Sequence, residues 1–109
     1  MLPKGMSEEL VDALRSIFGT RLLSVVLYGS VARGEQTPES DVDIALFLRE
    51  PMTKAEREKM ISRLVEMDWK YDRELSVNDI EQSRFEEWAD YLPYYRSIRE
   101  EGIVLWKAA

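Results

Sequence analysis

Apolar residues recur along the chain with a helical period in some segments and as short continuous runs in others. Over residues 7–18 their spacing is three to four residues, which predicts a helix with Ser7 as its N-cap and Gly19 after its end. Leu22–Tyr28 and Val42–Leu48 are short, apolar and rich in β-branched residues. They predict two buried strands.

The helical period returns after the second predicted strand. Thr53 and Glu56 form a capping box, which predicts a helix that extends to about Tyr71. The inner stripe of this helix is predicted to consist of Met60, Ile61, Leu64, Val65, Asp68 and Trp69. Polar and apolar residues then alternate over Glu74–Asn78, which predicts a third strand.

Two shorter helices and an edge strand are predicted at the C-terminal end. A second capping box, Ser83–Glu86, predicts a helix to about Tyr91, and Pro93 suits the first turn of a last helix over Tyr94–Glu101. The apolar run Ile103–Trp106 predicts the edge strand. This order of elements predicts an α+β (mixed α/β) fold, a small mixed β-sheet with helices packed mainly on one face.

The chain has 109 residues and contains neither Cys nor His. A chain of this length is expected to form a single domain, residues 1–109. The missing residue types exclude a disulfide framework, a thiolate nucleophile and a zinc–thiolate site, and they remove the usual base at neutral pH. Catalysis would therefore depend on carboxylates, hydroxyls, Lys, Arg, Tyr or a hard metal ion held by oxygen.

The charge balance is acidic, with 15 Lys and Arg against 21 Asp and Glu and a net charge of -6. Strong binding of nucleic acid is not expected, because phosphate neutralisation needs a basic surface. The sequence shows no signal peptide and no apolar segment of about 20 residues that would span a bilayer. We therefore expect a cytoplasmic protein that does not associate with a membrane.

The segment from Leu27 to Leu48 contains the residues with the clearest chemistry. Gly29 and Ser30 follow the first predicted strand and precede a short helical turn. Because glycine has no Cβ, a ligand can approach the backbone closely, and the N–H groups that follow can hold a phosphate. Ser30 adds a hydroxyl and Arg33 adds a positive charge, so the turn predicts a phosphate-binding site.

Asp41 and Asp43 lie two residues apart at the start of the second strand, so their side chains project from the same face. Adjacent like charges are unfavourable unless a cation lies between them, and Mg²⁺ is the natural divalent ion for oxygen ligands. Glu74 is the leading candidate for a third carboxylate that would complete a two-metal site, because it shares a strand face with Ser76 and Asn78. The combination predicts metal-assisted transfer on a nucleoside triphosphate.

Each of these features also has an ordinary structural explanation. A Gly-Ser pair after a strand is commonly a plain turn, and Asp41 and Asp43 could form a solvated strand start. Arg33 and Glu74 could be surface charges. The combination of the features at neighbouring strand ends favours a functional site, since open sheets place ligands there.

The same residues closely resemble the pattern of a known family. Gly29-Ser30, Ala32-Arg33-Gly34 and Asp41-Val42-Asp43 are similar to the motif of the DNA polymerase β-like nucleotidyltransferase superfamily, and within it to the minimal, or MNT-type, nucleotidyltransferases. The resemblance covers most of the chain, including Leu92–Arg96 and Arg99–Ile103. It implies the polymerase β-like nucleotidyltransferase fold and transfer of a nucleoside monophosphate to a hydroxyl, with release of pyrophosphate.

The resemblance also implies roles for individual residues. Ser30 and the backbone after Gly29 would hold the triphosphate, and the paired aspartates would bind two Mg²⁺ ions. The residue at Glu74 would be the third carboxylate, but the family more usually has Asp at this position, so Asp72 and Asp79 stay open as alternatives. Strand polarity favours Glu74, because Asp79 lies on the apolar face of the strand and Asp72 precedes it.

Minimal members of the family are commonly encoded beside an all-helical HEPN toxin. They act as its antitoxin and can adenylylate one of its tyrosines. The resemblance therefore implies an enzyme that transfers AMP from ATP to a hydroxyl on a HEPN-type partner. Two alternatives are open: transfer to a small molecule such as an aminoglycoside, for which a homo-oligomer could build the pocket, and a non-catalytic module that neutralises its partner by contact.

Four aromatic residues are crowded into the predicted C-terminal helices: Trp88, Tyr91, Tyr94 and Tyr95. Such residues usually belong to the core or to an amphipathic surface, and that is the expectation here. The alternative is a contact surface for a partner, because Trp and Tyr are enriched at interface hot spots.

Overall fold

The computed structural model describes residues 2–35, 37 and 40–109, and these residues contain one four-stranded mixed sheet. Its strands are β1 (Leu22–Tyr28), β2 (Val42–Leu48), β3 (Leu75–Glu81) and β4 (Ile103–Lys107), in the spatial order β3-β2-β1-β4. β2 pairs antiparallel with β1 and parallel with β3, and β4 pairs antiparallel with β1. The predicted α+β class with a small mixed sheet is confirmed.

The helices of the described residues lie on both faces of the sheet. They are α1 (Met6–Phe18), α2 (Gly29–Ala32), α3 (Lys54–Tyr71), α4 (Gln82–Trp88) and α5 (Pro93–Glu101). The long helices α1 and α3 pack on one face and form the larger core with alternate residues of β2, from Val42 to Leu48. Because α3 connects two parallel neighbouring strands, it also serves as the crossover between them.

The opposite face of the sheet carries a smaller core under α4 and α5. Its buried residues are Val26, Ala45, Phe47, Ile80 and Ile98. Phe85 of α4 and Tyr95 of α5 pack against these residues, with their ring centroids 5.3 Å apart. The two longest helices therefore pack on one face of the sheet, and α4 and α5 pack on the other.

The predicted inner stripe of α3 is wrong in part. Met60 and Met67 are buried, but Ile61 and Val65 are half exposed and Trp69 is 85% exposed. The sequence contains two adjacent apolar stripes on this helix, and only one of them can face a flat sheet. Among the described residues no helix, α3 included, is both long and apolar enough to cross a membrane.

Two predicted helix starts are also wrong. Ser7 is not the N-cap of α1, because Met6 is buried in the larger core and the helix begins there, after Gly5. The Ser83–Glu86 capping box is not formed, because β3 continues to Glu81 along the full length of β2 and α4 begins directly at the next residue. Parallel pairing thus extends β3 three residues beyond its predicted end.

The predicted capping box at the start of α3 is confirmed. Thr53 Oγ1 accepts a hydrogen bond from the Glu56 N–H at 3.1 Å, and Glu56 Oε1 accepts one from the Thr53 N–H at 2.9 Å. Arg21 donates to the other carboxylate oxygen of Glu56 and to the carbonyl of Pro51. The hydrogen bonds from Arg21 and Thr53 lower the pKa of Glu56 to about 2 and tie α3 to the turn before β1.

Glu56→Gln should remove a pH-dependent part of the stability. The pKa of Glu56 in the folded protein is below its ordinary value of 4.5, so its contribution is present above that pH and is lost as the pH falls towards about 2. In urea unfolding at a series of pH values, the free energy of unfolding should decline less between about pH 5 and 2 in this variant than in the parent. Glu58→Gln, at an exposed position of the same helix, should keep the parent's slope, and equal slopes in all three proteins would contradict the prediction.

Candidate active site

The pairing of β1 with β2 brings the predicted phosphate-binding turn beside the predicted metal-binding pair. Tyr28, the last residue of β1, stands opposite Asp43, so the turn that begins at Gly29 starts next to this carboxylate. In the parallel pair of β2 and β3, Ser76 stands opposite Asp43. Because paired residues share a face, Tyr28, Asp43 and Ser76 project from the same side of the sheet.

A side chain cannot fit at Gly29, for two independent reasons. Its φ of 75° lies in the left-handed region that favours glycine. A Cβ built at this position would also overlap the carboxylate of Asp43. The Asp43 carboxylate therefore lies directly against the backbone of the turn, so that one ligand can contact both.

The turn after Gly29 is the short helix α2. The Arg33 N–H donates to the Gly29 carbonyl at 3.1 Å, and the Glu35 N–H donates to the Ser30 carbonyl at 2.9 Å. Val31 is buried in the larger core and anchors the turn. The first N–H groups of a helix have no partner within it, so those near Ser30 can donate to an anion.

Arg33 follows the last residue of α2 and lies close to two carboxylates. Its guanidinium is 3.5 Å from Glu35 and 3.3 Å from Glu101 of α5. The hydrogen bond to Glu101 is the main cause of the raised pKa of Arg33. Arg33 thus forms an ion pair with α5, and this contact links the predicted phosphate-binding turn to that helix.

Asp41 and Asp43 form an electrostatically unfavourable pair. Burial raises the pKa of Asp43, the neighbouring charge of Asp41 raises it further, and Arg33 opposes both effects. A cation beside the two carboxylates would relieve this repulsion. Mg²⁺ is usually bound by one or two carboxylates together with phosphate oxygens of the substrate, so the donor set fits a nucleotide-bound Mg²⁺.

No third acidic side chain joins this pair to form a complete metal site in the described residues. Glu74 directly precedes Leu75, the partner of Val42, just as Asp41 precedes Val42, and its carbonyl accepts from the Val42 N–H at 2.8 Å. Glu74 is therefore the acidic residue beside Asp41 in the sheet, and its role as a third ligand stays a prediction.

The two alternatives to Glu74 lie elsewhere. Asp79 is 3.3 Å from Arg57 of α3, which places its side chain on the α3 face of the sheet, away from the paired aspartates. Asp72 ends α3 in a left-handed conformation, with φ 52°, before β3 begins. Asp79 thus lies on the apolar face of the sheet and Asp72 precedes β3, as the strand polarity predicted.

A hydrogen-bonded group beside Asp43 was missed by the sequence reasoning. The Asn78 amide donates to the Tyr28 hydroxyl at 2.8 Å, and the hydroxyls of Tyr28 and Tyr94 are 2.9 Å apart. The rings of Tyr28 and Tyr94 meet edge to face with centroids 5.8 Å apart. Asn78 could have been found from its strand face, but Tyr94 comes from α5, whose position no local pattern reveals.

The aromatic residues of the C-terminal helices divide into core and surface. Tyr95 packs against the smaller core, while Trp88, Tyr91 and Tyr94 are substantially exposed. Partial burial of the Tyr94 hydroxyl and its hydrogen bond with Tyr28 raise the pKa of that hydroxyl above its ordinary value. A cavity of about 730 Å³ lined by Leu22 and Trp106 lies at the opposite end of β1 from Tyr28 and is not part of this group.

Comparison with known proteins identifies the family to which this arrangement belongs. Residues 7–105 match the sequence model described as the nucleotidyltransferase domain. The chain belongs to this nucleotidyltransferase family. Two relatives from Methanocaldococcus jannaschii are both named as candidate protein adenylyltransferases. One is 31% identical over 91% of this chain and 93% of its own length. The other is 35% identical over 60% of this chain and 66% of its own length.

Solved structures of nucleotidyltransferases share the fold. One is the complex of a tri-AMPylated Shewanella oneidensis HEPN toxin with an MNT antitoxin, with a TM-score of 0.59 and 15% identity over 94% of this chain and 71% of that chain. Another is a spectinomycin adenyltransferase from Enterococcus faecialis with ATP and spectinomycin, with a TM-score of 0.66 and 18% identity over 91% of this chain and 47% of that chain. The predicted resemblance to the minimal nucleotidyltransferases is thereby confirmed at the level of family and fold.

Gly29→Ala should destabilise the protein more than Gly34→Ala does. Both glycines have a φ near 75°, but a Cβ at Gly34 would meet no atom within 4 Å, whereas one at Gly29 overlaps Asp43. Gly34→Ala should therefore cost only the left-handed backbone penalty of roughly 1–2 kcal/mol in free energy of unfolding. Urea unfolding of both variants measures the difference in their free energies of unfolding. Equal losses of free energy would show that a Cβ at position 29 does not clash with Asp43.

Proposed function

We propose that this nucleotidyltransferase transfers AMP from ATP to a hydroxyl group on a partner protein. The observation that carries the proposal is the contact of the Asp43 carboxylate with the backbone of Gly29, because it joins the predicted phosphate-binding turn to the carboxylates predicted to hold the metal. The names of the two relatives, both protein adenylyltransferases by designation, support adenylyl transfer to a protein.

The reaction would be an in-line displacement at the α-phosphorus of ATP. The acceptor oxygen forms a bond to this phosphorus, the bond to the bridging oxygen of the β-phosphate breaks, and pyrophosphate leaves. The proton of the acceptor hydroxyl passes to a carboxylate, for which Glu74 is the proposed base. The Ser30 hydroxyl and the N–H groups of the turn would bind the triphosphate, and Arg33 would help to neutralise it.

Asp41 and Asp43 would hold the metal ions, for which we propose two Mg²⁺. Bound there, Mg²⁺ would neutralise charge on the triphosphate and polarise the α-phosphate. Glu74 would contribute to the second ion if its side chain turns towards Asp41. Burial and the neighbouring charge of Asp41 raise the pKa of Asp43, and a bound cation would oppose both effects, which supports this assignment.

The partner that we propose is an all-helical HEPN-type toxin, with this chain as its antitoxin. Two findings support this proposal. The fold is shared with the MNT antitoxin of a complex whose HEPN toxin is tri-AMPylated. The aromatic residues Trp88, Tyr91 and Tyr94 are exposed, as is typical of contact surfaces, and Tyr94 lies beside the candidate site.

A second candidate acceptor is a small hydroxylated molecule. The observation that favours it is the likeness of this chain to the spectinomycin adenyltransferase, although the match spans less than half of that enzyme. Both candidates use the same turn and carboxylates and differ only in the source of the hydroxyl. A third candidate, neutralisation of the partner by contact alone, needs none of the catalytic residues.

The test is transfer of label from α-labelled ATP with Mg²⁺ to the purified product of the neighbouring gene, or to spectinomycin. We expect label on the protein, and a loss of at least about a hundredfold in rate for Asp41→Asn or Asp43→Asn, because both remove metal ligands. Asp79→Asn, on the opposite face of the same sheet, is the matched control and should retain the parent rate.

Each other outcome decides against part of the proposal. Label on spectinomycin alone would support the small-molecule enzyme. If the chain neutralises its partner without labelling it, and still does so when both aspartates are replaced, the chain would be an antitoxin that acts by contact alone. Label that survives replacement of both aspartates would exclude this site.

A further inference from the structure

The Asn78–Tyr28–Tyr94 group beside Asp43 has no role in the reaction as described so far. We propose that it binds the base of the nucleotide, and that the fixed orientation of the Asn78 amide selects a base with an exocyclic amino group, such as adenine, over one with an oxo group. The proposal rests on the proposed function, because it names the substrate-binding part of the same site.

The group lies on the same face of the sheet as Asp43 and directly beside it. Tyr28 stands opposite Asp43, and Asn78 stands opposite Ala45, two residues further along β2. The hydrogen bond from Asn78 to Tyr28 therefore crosses β2 just behind the paired aspartates. A nucleotide whose phosphates contact the turn at Gly29 can extend its base over this group.

The hydrogen bonds determine which groups are left to bind a ligand. One N–H of the Asn78 amide is used by Tyr28, so the carbonyl oxygen Oδ1 points away from the tyrosine and has no hydrogen-bond partner among the described residues. A free carbonyl oxygen accepts from an amino group such as N6 of adenine, and it repels an oxo group at the same place. The remaining N–H of Asn78 can donate to a ring nitrogen of the base.

Tyr94 supplies the surface on which a base can stack. Its ring meets Tyr28 edge to face and is 45% exposed, so part of the ring is open to a ligand. An aromatic ring stacks on any nucleotide base, whichever base it is. Affinity for the base would thus come from Tyr94, and selectivity would come from Asn78.

Tyr28 would act as a positioning residue. When the Tyr28 hydroxyl donates its proton to the Tyr94 hydroxyl, it can only accept from Asn78, and this arrangement fixes the amide with an N–H towards Tyr28. Without the Tyr28 hydroxyl the amide could rotate and present its N–H groups to an oxo base. Selectivity would then fall while the stacking surface stays in place.

Equilibrium binding of ATP, ITP and inorganic tripolyphosphate with Mg²⁺, by calorimetry and without an acceptor, tests the proposal. ITP differs from ATP in the group at position 6, which is oxo instead of amino. The parent should bind ATP at least about fivefold more tightly than ITP. Tyr28→Phe and Asn78→Ala should bring this ratio close to one, with the affinity for tripolyphosphate unchanged.

Stacking is tested by Tyr94→Leu, which should weaken the binding of both nucleotides about tenfold and leave tripolyphosphate binding as it is. Tyr94→Phe keeps the ring and should retain most of the affinity. Tyr91→Leu is the matched control, because Tyr91 is an exposed tyrosine that pairs with Trp88 instead of with this group.

The outcomes separate the base site from the reaction. Equal binding of ATP and ITP by the parent, or a ratio that survives Tyr28→Phe and Asn78→Ala, would overturn the base site and leave the transfer reaction standing if ATP is still used. Absence of binding to ATP, ITP and tripolyphosphate alike would overturn the proposed function together with the base site.

Discussion

The candidate site depends on the close approach of the Asp43 carboxylate to the backbone of Gly29. This approach is possible because Gly29 has no side chain and because the antiparallel register of β1 and β2 sets Tyr28 opposite Asp43. A shift of the register by one residue would turn Asp43 into the larger core and Val42 out of it. The buried residues of β2 on the α3 side therefore hold the register that the site requires.

The second constraint is the parallel pairing of β2 with β3. It extends over the full length of both strands and brings Ser76 and Asn78 onto the same face of the sheet as Asp43. The N–H of Leu75 at the start of β3 is held by Asp68 of α3 at 3.0 Å. This hydrogen bond from α3 thus helps to fix the start of β3, and with it the positions of Ser76 and Asn78 on the opposite face of the sheet.

Much of this arrangement could be predicted from local patterns. The two central strands and the capping box at Thr53 each depend on residues close together in the sequence, and periodicity reveals such features well. The starts of α1 and α4 could not be predicted, because a buried methionine and a continuing strand pair outweighed the local capping signals. Tyr94 could not be placed beside Tyr28, since 66 residues separate them and only the packing of α5 brings them together.

The two faces of the sheet bury different amounts of apolar surface, and this difference determines which helix should open more readily. Among the described residues, sixteen buried side chains form the core under α1 and α3, whereas five form the core under α4 and α5. The free energy of local opening follows the apolar surface that an element buries, so α5 should separate from the sheet well before the whole domain unfolds. Because α5 carries both Tyr94 and Glu101, the helix beside the candidate site should open more readily than α1 or α3, and its backbone amides should exchange hydrogen faster than theirs.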